Sequence, residues 1–278
     1  MLYLVATPIG NLGDISERAK QTLAQVQLVA CEDTRTSGQL FSLLGIQVAA
    51  MTPYHEHNAD TVRPKLIQKL KKGVDIALVS DAGTPLVSDP GYKLVRECYE
   101  NGIPVTTIPG ANAVLSALQL SGLPSNAFYF AGFLPPKSAG RKKALTALIP
   151  VPATLIIYET PNRLTDMLRD IQAVLGNRPM AVVREITKKF EEVRRGTVQE
   201  LYDYYTEAGA PKGELVLVIG QGDDRPTEMS PEEIKHLIQE TLRTRSVRDT
   251  ADLVADKSGL PRKEIYKQVV AEHDSLKS

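Results

Sequence analysis

The first 122 residues alternate between short apolar runs of strand length and longer segments whose apolar residues recur with helical spacing. This alternation is typical of α/β folds, in which helices cover a parallel sheet. It therefore predicts a mostly parallel sheet in this part of the chain. The predicted strands are residues 2–6, 26–31, 76–80 and 105–108, and the predicted helices are residues 14–24, 60–71, 90–101 and 111–122.

A second segment of the same kind begins near Leu123. A polar linker from Gln221 then precedes a helical tail, in which Ala255, Gly259 and Ile265 have helix-turn-helix spacing. We predict an α/β fold with two α/β domains, residues 1–122 and 123–222, and a small helical extension, residues 228–278. The further predicted strands are 128–133, 154–158, 180–183 and 215–219, and the further helices are 141–148, 162–175, 198–208, 231–244, 248–257 and 261–272.

Composition narrows the class of protein. Basic and acidic residues both number 33, and this zero net charge excludes a protein held on nucleic acid by bulk charge alone. No apolar run approaches the roughly 20 residues that span a bilayer, and the apolar residues 2–5 predict a strand rather than a signal peptide. Two cysteines and four histidines suit neither a disulfide framework nor a metal site, which favours a reducing cytoplasm without a bound metal.

Glycine and proline turns follow three of the predicted strands, at residues 7–11, 79–91 and 108–113. The carboxyl ends of parallel strands meet at one edge of a sheet, where α/β proteins bind ligands. We therefore expect a small polar ligand held mostly by backbone groups, with Ala82 to Thr84 beside it and Asp81 accepting a hydrogen bond. The alternative is a set of tight structural turns.

Charged residues follow another strand end. Glu32 or Asp33 could deprotonate a hydroxyl, and Arg35 could hold a phosphate. The alternative is a local ion pair with a helix cap. His55, in a loop before a helix, is a further candidate base.

A basic cluster lies in the middle segment, where basic residues outnumber acidic ones. Four basic residues occur within seven positions, with no acidic residue among them, which fits phosphate contacts. The alternative is the solvated first turn of a helix. Residues 184–195 mix both charges, and aromatic residues make up only 5% of the chain, so base stacking cannot be extensive. The basic cluster consists of Lys137, Arg141, Lys142 and Lys143.

Taken in order, the motifs resemble those of one family. They are TPIGNL, CEDTR, SDAGTPLVSDPG, IPGANAVLSAL, GFLP, YETPNRL, REITKKFEE and KGELVLVIG. The chain resembles the tetrapyrrole methylase superfamily (class III methyltransferases), most closely its 16S ribosomal RNA (cytidine-2′-O)-methyltransferase branch. The resemblance extends from Leu2 to about Gly220. It implies a homodimeric enzyme with S-adenosylmethionine in a cleft between its two α/β domains.

The resemblance also implies roles for individual residues. The chain departs from the family pattern at Ala111-Asn112, where a proline-containing sequence is expected. The implied cofactor-binding residues are Pro8, Ser80, Asp81, Ala82, Gly83, Thr84, Asn112, Ala113, Tyr158, Glu159 and Ile186. The implied RNA-binding residues are Arg35, Lys137, Arg141, Lys142, Lys143 and Arg184.

The implied activity is 2′-O-methylation of a cytidine in the decoding region of 16S ribosomal RNA, with Glu32, Asp33 or His55 as the base. Zero net charge favours an assembled 30S subunit over naked RNA as the substrate. The alternatives are a methyltransferase acting on a tetrapyrrole-type small molecule and a non-catalytic ribosome assembly factor. DNA binding by the tail is a weaker alternative, because the tail is net negative.

Overall fold

The computed structural model describes residues 1–88, 91–222 and 230–275, without the side chains of residues 256 and 257. It divides into two compact units, Met1–Gly220 and Gln221–Ser278. Pro90, where a helix was predicted to begin, lies outside the described residues. So do most of the predicted linker and residue 228, where the extension was predicted to begin.

The first sheet is parallel throughout, as predicted, with strand order β3-β2-β4-β1-β5. Its strands are β1 (Leu2–Val5), β2 (Leu28–Cys31), β3 (Met51–Pro53), β4 (Ile76–Val79) and β5 (Val105–Ile108). The helices of this part of the chain are α1 (Glu17–Gln25), α2 (Thr34–Leu43), α3 (Ala59–Lys71), α4 (Tyr92–Glu100) and α5 (Ala113–Ser121).

Every residue of the central strands β2 and β4 is buried, which is what a parallel sheet covered on both faces requires. Successive side chains point to opposite faces and join different cores. Ala30 and Leu78 belong to the core on one face, whereas Val29 and Val79 belong to the core on the other.

The second sheet is mixed, with strand order β6-β7-β10-β8-β9, and only the β6–β7 pair is parallel. Its strands are β6 (Phe128–Phe133), β7 (Thr154–Glu159), β8 (Pro179–Arg184), β9 (Glu192–Thr197) and β10 (Leu215–Ile219). The helices here are α6 (Ser138–Leu148), α7 (Leu164–Leu175) and α8 (Val198–Ala208).

Different helices cover the two faces of the second sheet. Helices α6, α7 and α8 pack on one face, for example through Leu145, Leu168 and Leu201. Helix α5 covers the other face, where Val114 and Leu118 belong to the same core as residues of β7, β8 and β10. Helix α5 therefore follows the last strand of the first sheet in the sequence, but its apolar side packs against the second sheet.

The second unit, described by itself, contains α9 (Pro231–Leu242), α10 (Val247–Ser258) and α11 (Arg262–Ser275) around a small apolar core. Gly259 ends α10 with a φ of 68°, the left-handed conformation that glycine adopts without strain. The three predicted helices are thus confirmed. No helix among the described residues is long and apolar enough to cross a bilayer.

The α/β fold is confirmed, and all eight predicted strands occur. Helix α2 and strands β3 and β9 were not predicted. Both sheets lie within the unit Met1–Gly220, and the boundary between domains at residues 122 and 123 stays a prediction.

Candidate active site

A cavity of about 400 Å³ lies where the carboxyl edge of the first sheet faces the second sheet. That volume falls within the range of small-molecule sites. Both halves of the α/β unit contribute to its wall. The lining residues are Ile9, Asp81, Ala82, Gly83, Thr84, Val87, Ser88, Asn112, Ala113, Phe133, Tyr158, Glu159, Thr160, Pro161, Ile186, Gly213, Glu214, Leu215 and Val216.

Hydrogen bonds tie together the three strand ends on the first-sheet side. The loops after β1 and β4 form a short bridge, in which Thr7 and Gly83 exchange two backbone hydrogen bonds of 2.9 and 3.1 Å. The Thr84 hydroxyl donates to the Ala111 carbonyl at 3.1 Å and so reaches the loop after β5. The buried Ser80 hydroxyl donates to the Gly83 carbonyl at 3.2 Å. These bonds fix backbone groups around the cavity before any ligand arrives.

Backbone strain is concentrated in two loops of the cavity wall. Among the described residues, only four that are not glycine have φ in the left-handed region. Leu86 and Ser88 lie in the loop after β4, and Glu185 and Thr187 flank Ile186 after β8. Such strain costs about 1–3 kcal/mol per residue and tends to collect at ligand sites.

The charged side chains of the cavity wall are all acidic. Asp81, Glu159 and Glu214 line it, and no lysine, arginine or histidine does so among the described residues. A site without a cationic side chain is poorly suited to a phosphate group. The wall instead favours a ligand that carries positive charge and hydrogen-bond donors.

Glu159 is the most deeply buried of these carboxylates, with 2% of its surface exposed. Burial raises its pKa. Its Oε1 accepts a hydrogen bond from the Thr160 backbone N–H at 2.8 Å and lies 3.2 Å from Arg163 Nε. Its Oε2 has no hydrogen-bond partner among the described residues. A buried oxygen without a hydrogen-bond donor lowers the stability of the protein. A ligand that donates a hydrogen bond to this oxygen would remove that cost.

Nine of the eleven predicted cofactor residues line the cavity, but Pro8 and Ser80 do not. Both are buried behind the wall, and Ile9 takes the place expected for Pro8. The roles of all eleven in binding a cofactor stay predictions. The lining residues Gly213 and Glu214 were missed, although they lie in the KGELVLVIG motif directly before β10.

The predicted bases lie beside the cavity, around the carboxyl end of β2. The Asp33 backbone N–H donates to Asp81 Oδ1 at 3.3 Å, which joins this strand end to the cavity wall. Asp33 caps α2 and forms an ion pair with Arg35 at 2.7 Å. Hydrogen bonds from Arg35 lower the pKa of Asp33 to about 2. Asp33 is therefore a weak proton acceptor. Its environment matches the alternative stated in the sequence analysis, a local ion pair combined with a helix cap.

Glu32 has the opposite environment. Burial and the negative charge of Asp81 raise its pKa, whereas His55 lowers it. His55 Nδ1 is buried without a hydrogen-bond partner among the described residues. Of the two candidate carboxylates, Glu32 is the stronger base.

The predicted RNA-binding residues differ in how accessible they are. Lys137, Lys142 and Lys143 are exposed on α6 and its N-cap, and Lys142 Nζ lies 3.6 Å from Oδ1 of the buried Asp170. Arg184 is half-buried, and its Nε lies 3.2 Å from a carboxylate oxygen of Glu192. The guanidinium of Arg35 is exposed but already paired with Asp33.

Arg141 requires a correction, because only 2% of its side chain is exposed. Its guanidinium lies 2.6 Å from Asp170 Oδ2, and Nη1 donates to the Pro136 carbonyl at 3.2 Å. A buried and fully paired guanidinium does not reach an RNA phosphate. Arg141 is therefore a structural residue.

Comparison with known proteins places the chain in a family. Residues 1–202 match the family model described as Tetrapyrrole (Corrin/Porphyrin) Methylases. The chain belongs to the tetrapyrrole methylase family, as its motifs predicted.

Curated relatives narrow the class further. A protein called Ribosomal RNA small subunit methyltransferase I from Mesorhizobium japonicum is 48% identical, with 99% of this chain and 92% of the relative covered. The protein of the same name from Haemophilus influenzae is 45% identical, with 96% and 95% covered. Among solved structures, a uroporphyrin-III C-methyltransferase from Thermus thermophilus, complexed with S-adenosylhomocysteine, has a TM-score of 0.54 and 18% identity, with 78% of this chain and 96% of that chain covered. At this level of identity, the similarity to the solved structure shows a shared fold only.

No group of three or more histidine, cysteine, aspartate or glutamate side chains suited to a metal ion occurs in the described part of the chain.

Proposed function

We propose that this protein transfers a methyl group from S-adenosylmethionine to the ribose 2′-hydroxyl of a cytidine in the decoding region of 16S ribosomal RNA. The curated relatives support methyl transfer to ribosomal RNA of the small subunit. The names of these relatives do not specify the acceptor atom, the nucleotide or an assembled 30S subunit as substrate. These three points are part of our proposal. We place the enzyme in the cytoplasm, where ribosomal subunits are found.

The observation that carries the proposal is the cavity between the two sheets, whose charged lining residues are all acidic among the described residues. S-adenosylmethionine supplies an electrophilic methyl group on a positively charged sulfur, and it also carries an amino group and hydroxyl groups. The Asp81 carboxylate suits those positive charges, whereas Glu159 and Glu214 already pair with Arg163 and Lys188. The unpartnered Oε2 of Glu159 provides an acceptor for a donor group of the cofactor. Backbone groups of residues 82–84 and 112–113 complete the site.

The chain must also hold the acceptor hydroxyl and remove its proton. Glu32 is placed for this, because it lies next to Asp33, whose backbone N–H is bonded to Asp81 on the cavity wall. Its raised pKa makes it a better proton acceptor than Asp33. In this proposal the 2′-hydroxyl proton passes to the Glu32 carboxylate as the oxygen becomes methylated.

The proposed RNA surface consists of Lys137, Lys142 and Lys143, with Arg35 and Arg184 nearer the strand ends. Because net charge is zero, shape must contribute much of the recognition, which favours an assembled subunit. The proposed homodimer rests on the family resemblance.

The proposal is tested by incubating the protein with labelled S-adenosylmethionine and small subunits from cells that lack it. Naked 16S ribosomal RNA serves as a parallel substrate. We expect label in the subunits, and nuclease digestion should release 2′-O-methylcytidine. Subunits that stay unlabelled while calorimetry shows cofactor binding would favour a small-molecule methylase or an assembly factor.

Replacing Lys142 and Lys143 together by alanine is expected to raise the KM for small subunits, because two exposed cations are lost. The dependence of log KM on log salt concentration should become shallower by about 0.7–0.9 for each phosphate contact removed. The matched control is Lys71→Ala with Lys72→Ala, a second pair of adjacent exposed lysines at the end of α3. An unchanged KM and salt dependence in the first double variant would remove α6 from the RNA surface.

A further inference from the structure

One short loop links the cavity wall to the outer surface. Residues 185–191, which we call the β8–β9 loop, connect those two strands. Ile186 lines the cavity, whereas the Phe190 ring projects outward with 63% of its surface exposed. Phe190 is four residues from Ile186, so its backbone lies within about 14 Å of the cavity wall.

The β8–β9 loop is held firmly. The Lys188 ammonium donates to Glu185 at 2.9 Å and to Glu214 at 3.0 Å. The Thr187 backbone N–H donates to the Glu191 carboxylate at 2.7 Å. Two residues of the loop adopt left-handed backbone conformations, which persist only where the surroundings over-determine them. The exposed ring is therefore carried by a fixed support.

Close packing on two sides adds to this support. A Cβ atom placed on Gly10 would overlap the Lys188 side chain, and one placed on Gly213 would overlap Glu185. The loop thus rests directly on the backbone that follows β1 and precedes β10. A binding group on such a support loses little conformational freedom when a partner arrives.

The exposed end of the loop has the chemistry of a nucleotide site. The Lys189 ammonium lies over the Phe190 ring, 5.6 Å from its centre. Within the described ranges Lys189 forms no ion pair with a carboxylate, whereas its neighbour Lys188 forms two. Unpaired RNA bases stack on exposed aromatic rings, and a free cation beside the ring suits the adjoining phosphate.

We propose that Phe190 and Lys189 form a stacking site for an unpaired base of the RNA substrate, close to the nucleotide that is methylated. This inference rests on the proposed function, and it adds a specific contact to it. Single exposed aromatic residues are common on protein surfaces. The fixed loop, the link through Ile186 to the cavity and a lysine without a carboxylate partner among the described residues distinguish this one.

The test compares Phe190→Ala and Phe190→Tyr with Tyr99→Ala. Tyr99 is a matched control because it is 67% exposed and lies on α4, away from the cavity wall. We expect Phe190→Ala to raise the KM for small subunits about ten-fold, the effect of losing one base stack. Phe190→Tyr keeps a stacking ring and should stay within about two-fold of the wild type. Tyr99→Ala should match the wild type.

Further measurements distinguish a contact with RNA from a role in cofactor binding or in oligomerisation. Calorimetry should give the same Kd for S-adenosylmethionine in all variants, and light scattering should give the same oligomeric state. Lys189→Ala should make the salt dependence of KM shallower by about 0.7, as for one phosphate contact to a single strand.

Several outcomes would overturn the inference. An unchanged KM in Phe190→Ala would remove the stacking contact. A weaker Kd for the cofactor would show that Phe190 acts through the cavity wall, and a changed oligomeric state would show that a second copy covers the ring. A wild-type protein that binds the cofactor but does not methylate subunits would instead overturn the proposed function, and this inference with it.

Discussion

Replacing Glu32 by glutamine is expected to lower kcat for methyl transfer by about 10²–10⁴-fold, the usual contribution of a positioned base. Glutamine has nearly the same shape but accepts no proton at this position. The expected result is a slow enzyme with an unchanged Kd for S-adenosylmethionine, because Glu32 does not line the cavity. Single-turnover methyl transfer with saturating subunits and cofactor measures the effect.

The matched control is Asp33→Asn at the next position. Arg35 lowers the pKa of Asp33 to about 2, so Asp33 is the weaker proton acceptor, and asparagine also caps helices. We expect this variant to keep its rate within a few-fold of the wild type. If both variants keep the full rate, no carboxylate at this strand end is the base.

The pH dependence gives an independent check on Glu32. A base works in its deprotonated form, so kcat/KM should rise with pH through the pKa of Glu32 and then level off. Burial and Asp81 raise that pKa, and the acid limb should therefore lie at higher pH than for an unperturbed glutamate. His55 lowers the same pKa, so His55→Ala should move the limb to higher pH. A loss of rate at every pH in that variant would instead make His55 the base.

Replacing Asp170 by asparagine is expected to destabilise the α/β unit by about 3–5 kcal/mol, because it leaves the Arg141 guanidinium buried without a counter-charge. The two side chains are only 2% and 1% exposed. For a unit of this size the loss corresponds to a fall in Tm of about 10 °C. Differential scanning calorimetry measures it.

Helix α7 itself provides the control for this variant. Asp166 pairs with Arg169 at 2.5 Å, but both side chains are more than half exposed. Exposed pairs contribute about 0–1 kcal/mol, so Asp166→Asn should change Tm by only a few degrees. The double variant Arg141→Met with Asp170→Leu should recover most of the stability, because apolar residues of similar volume often replace a buried pair without loss.

The same variants test the correction made to Arg141. A structural role predicts that Arg141→Met lowers Tm while the KM for small subunits of the folded protein stays unchanged. A raised KM with an unchanged Tm would restore Arg141 to the RNA surface.

The parts of the fold that the sequence predicted are those with continuous apolar patterns. Strands β2 and β4 are buried on both faces and show as short apolar runs in the sequence. Strand β9 lies at the edge of its sheet and is fully buried at no position, so its Glu-Val-Arg-Arg sequence shows no such pattern. Helix α2 buries only Ser37 and Phe41 and therefore lacks a clear apolar stripe.

The cavity lining agrees with the predicted site residues where those residues belong to local motifs. Of the nine predicted residues that line the cavity, those at 81–84 and 112–113 lie in turns that follow predicted strands, whereas Tyr158, Glu159 and Ile186 came from the family resemblance alone. Contacts between distant residues are not visible. Arg141 meets a partner 29 positions away, and nothing near it in the sequence distinguishes it from the exposed Lys142. The unpartnered oxygen of Glu159 likewise depends on what surrounds it in three dimensions.

Helix α5 has a consequence for how this protein can be divided. Its residues Val114 and Leu118 complete the core of a sheet that begins only at Phe128. A chain cut after residue 122 would leave an apolar helix face uncovered on one fragment and the matching sheet face, with Ile156 and Val218, uncovered on the other. We therefore expect neither fragment to fold stably on its own, and the two sheets to melt in one cooperative transition.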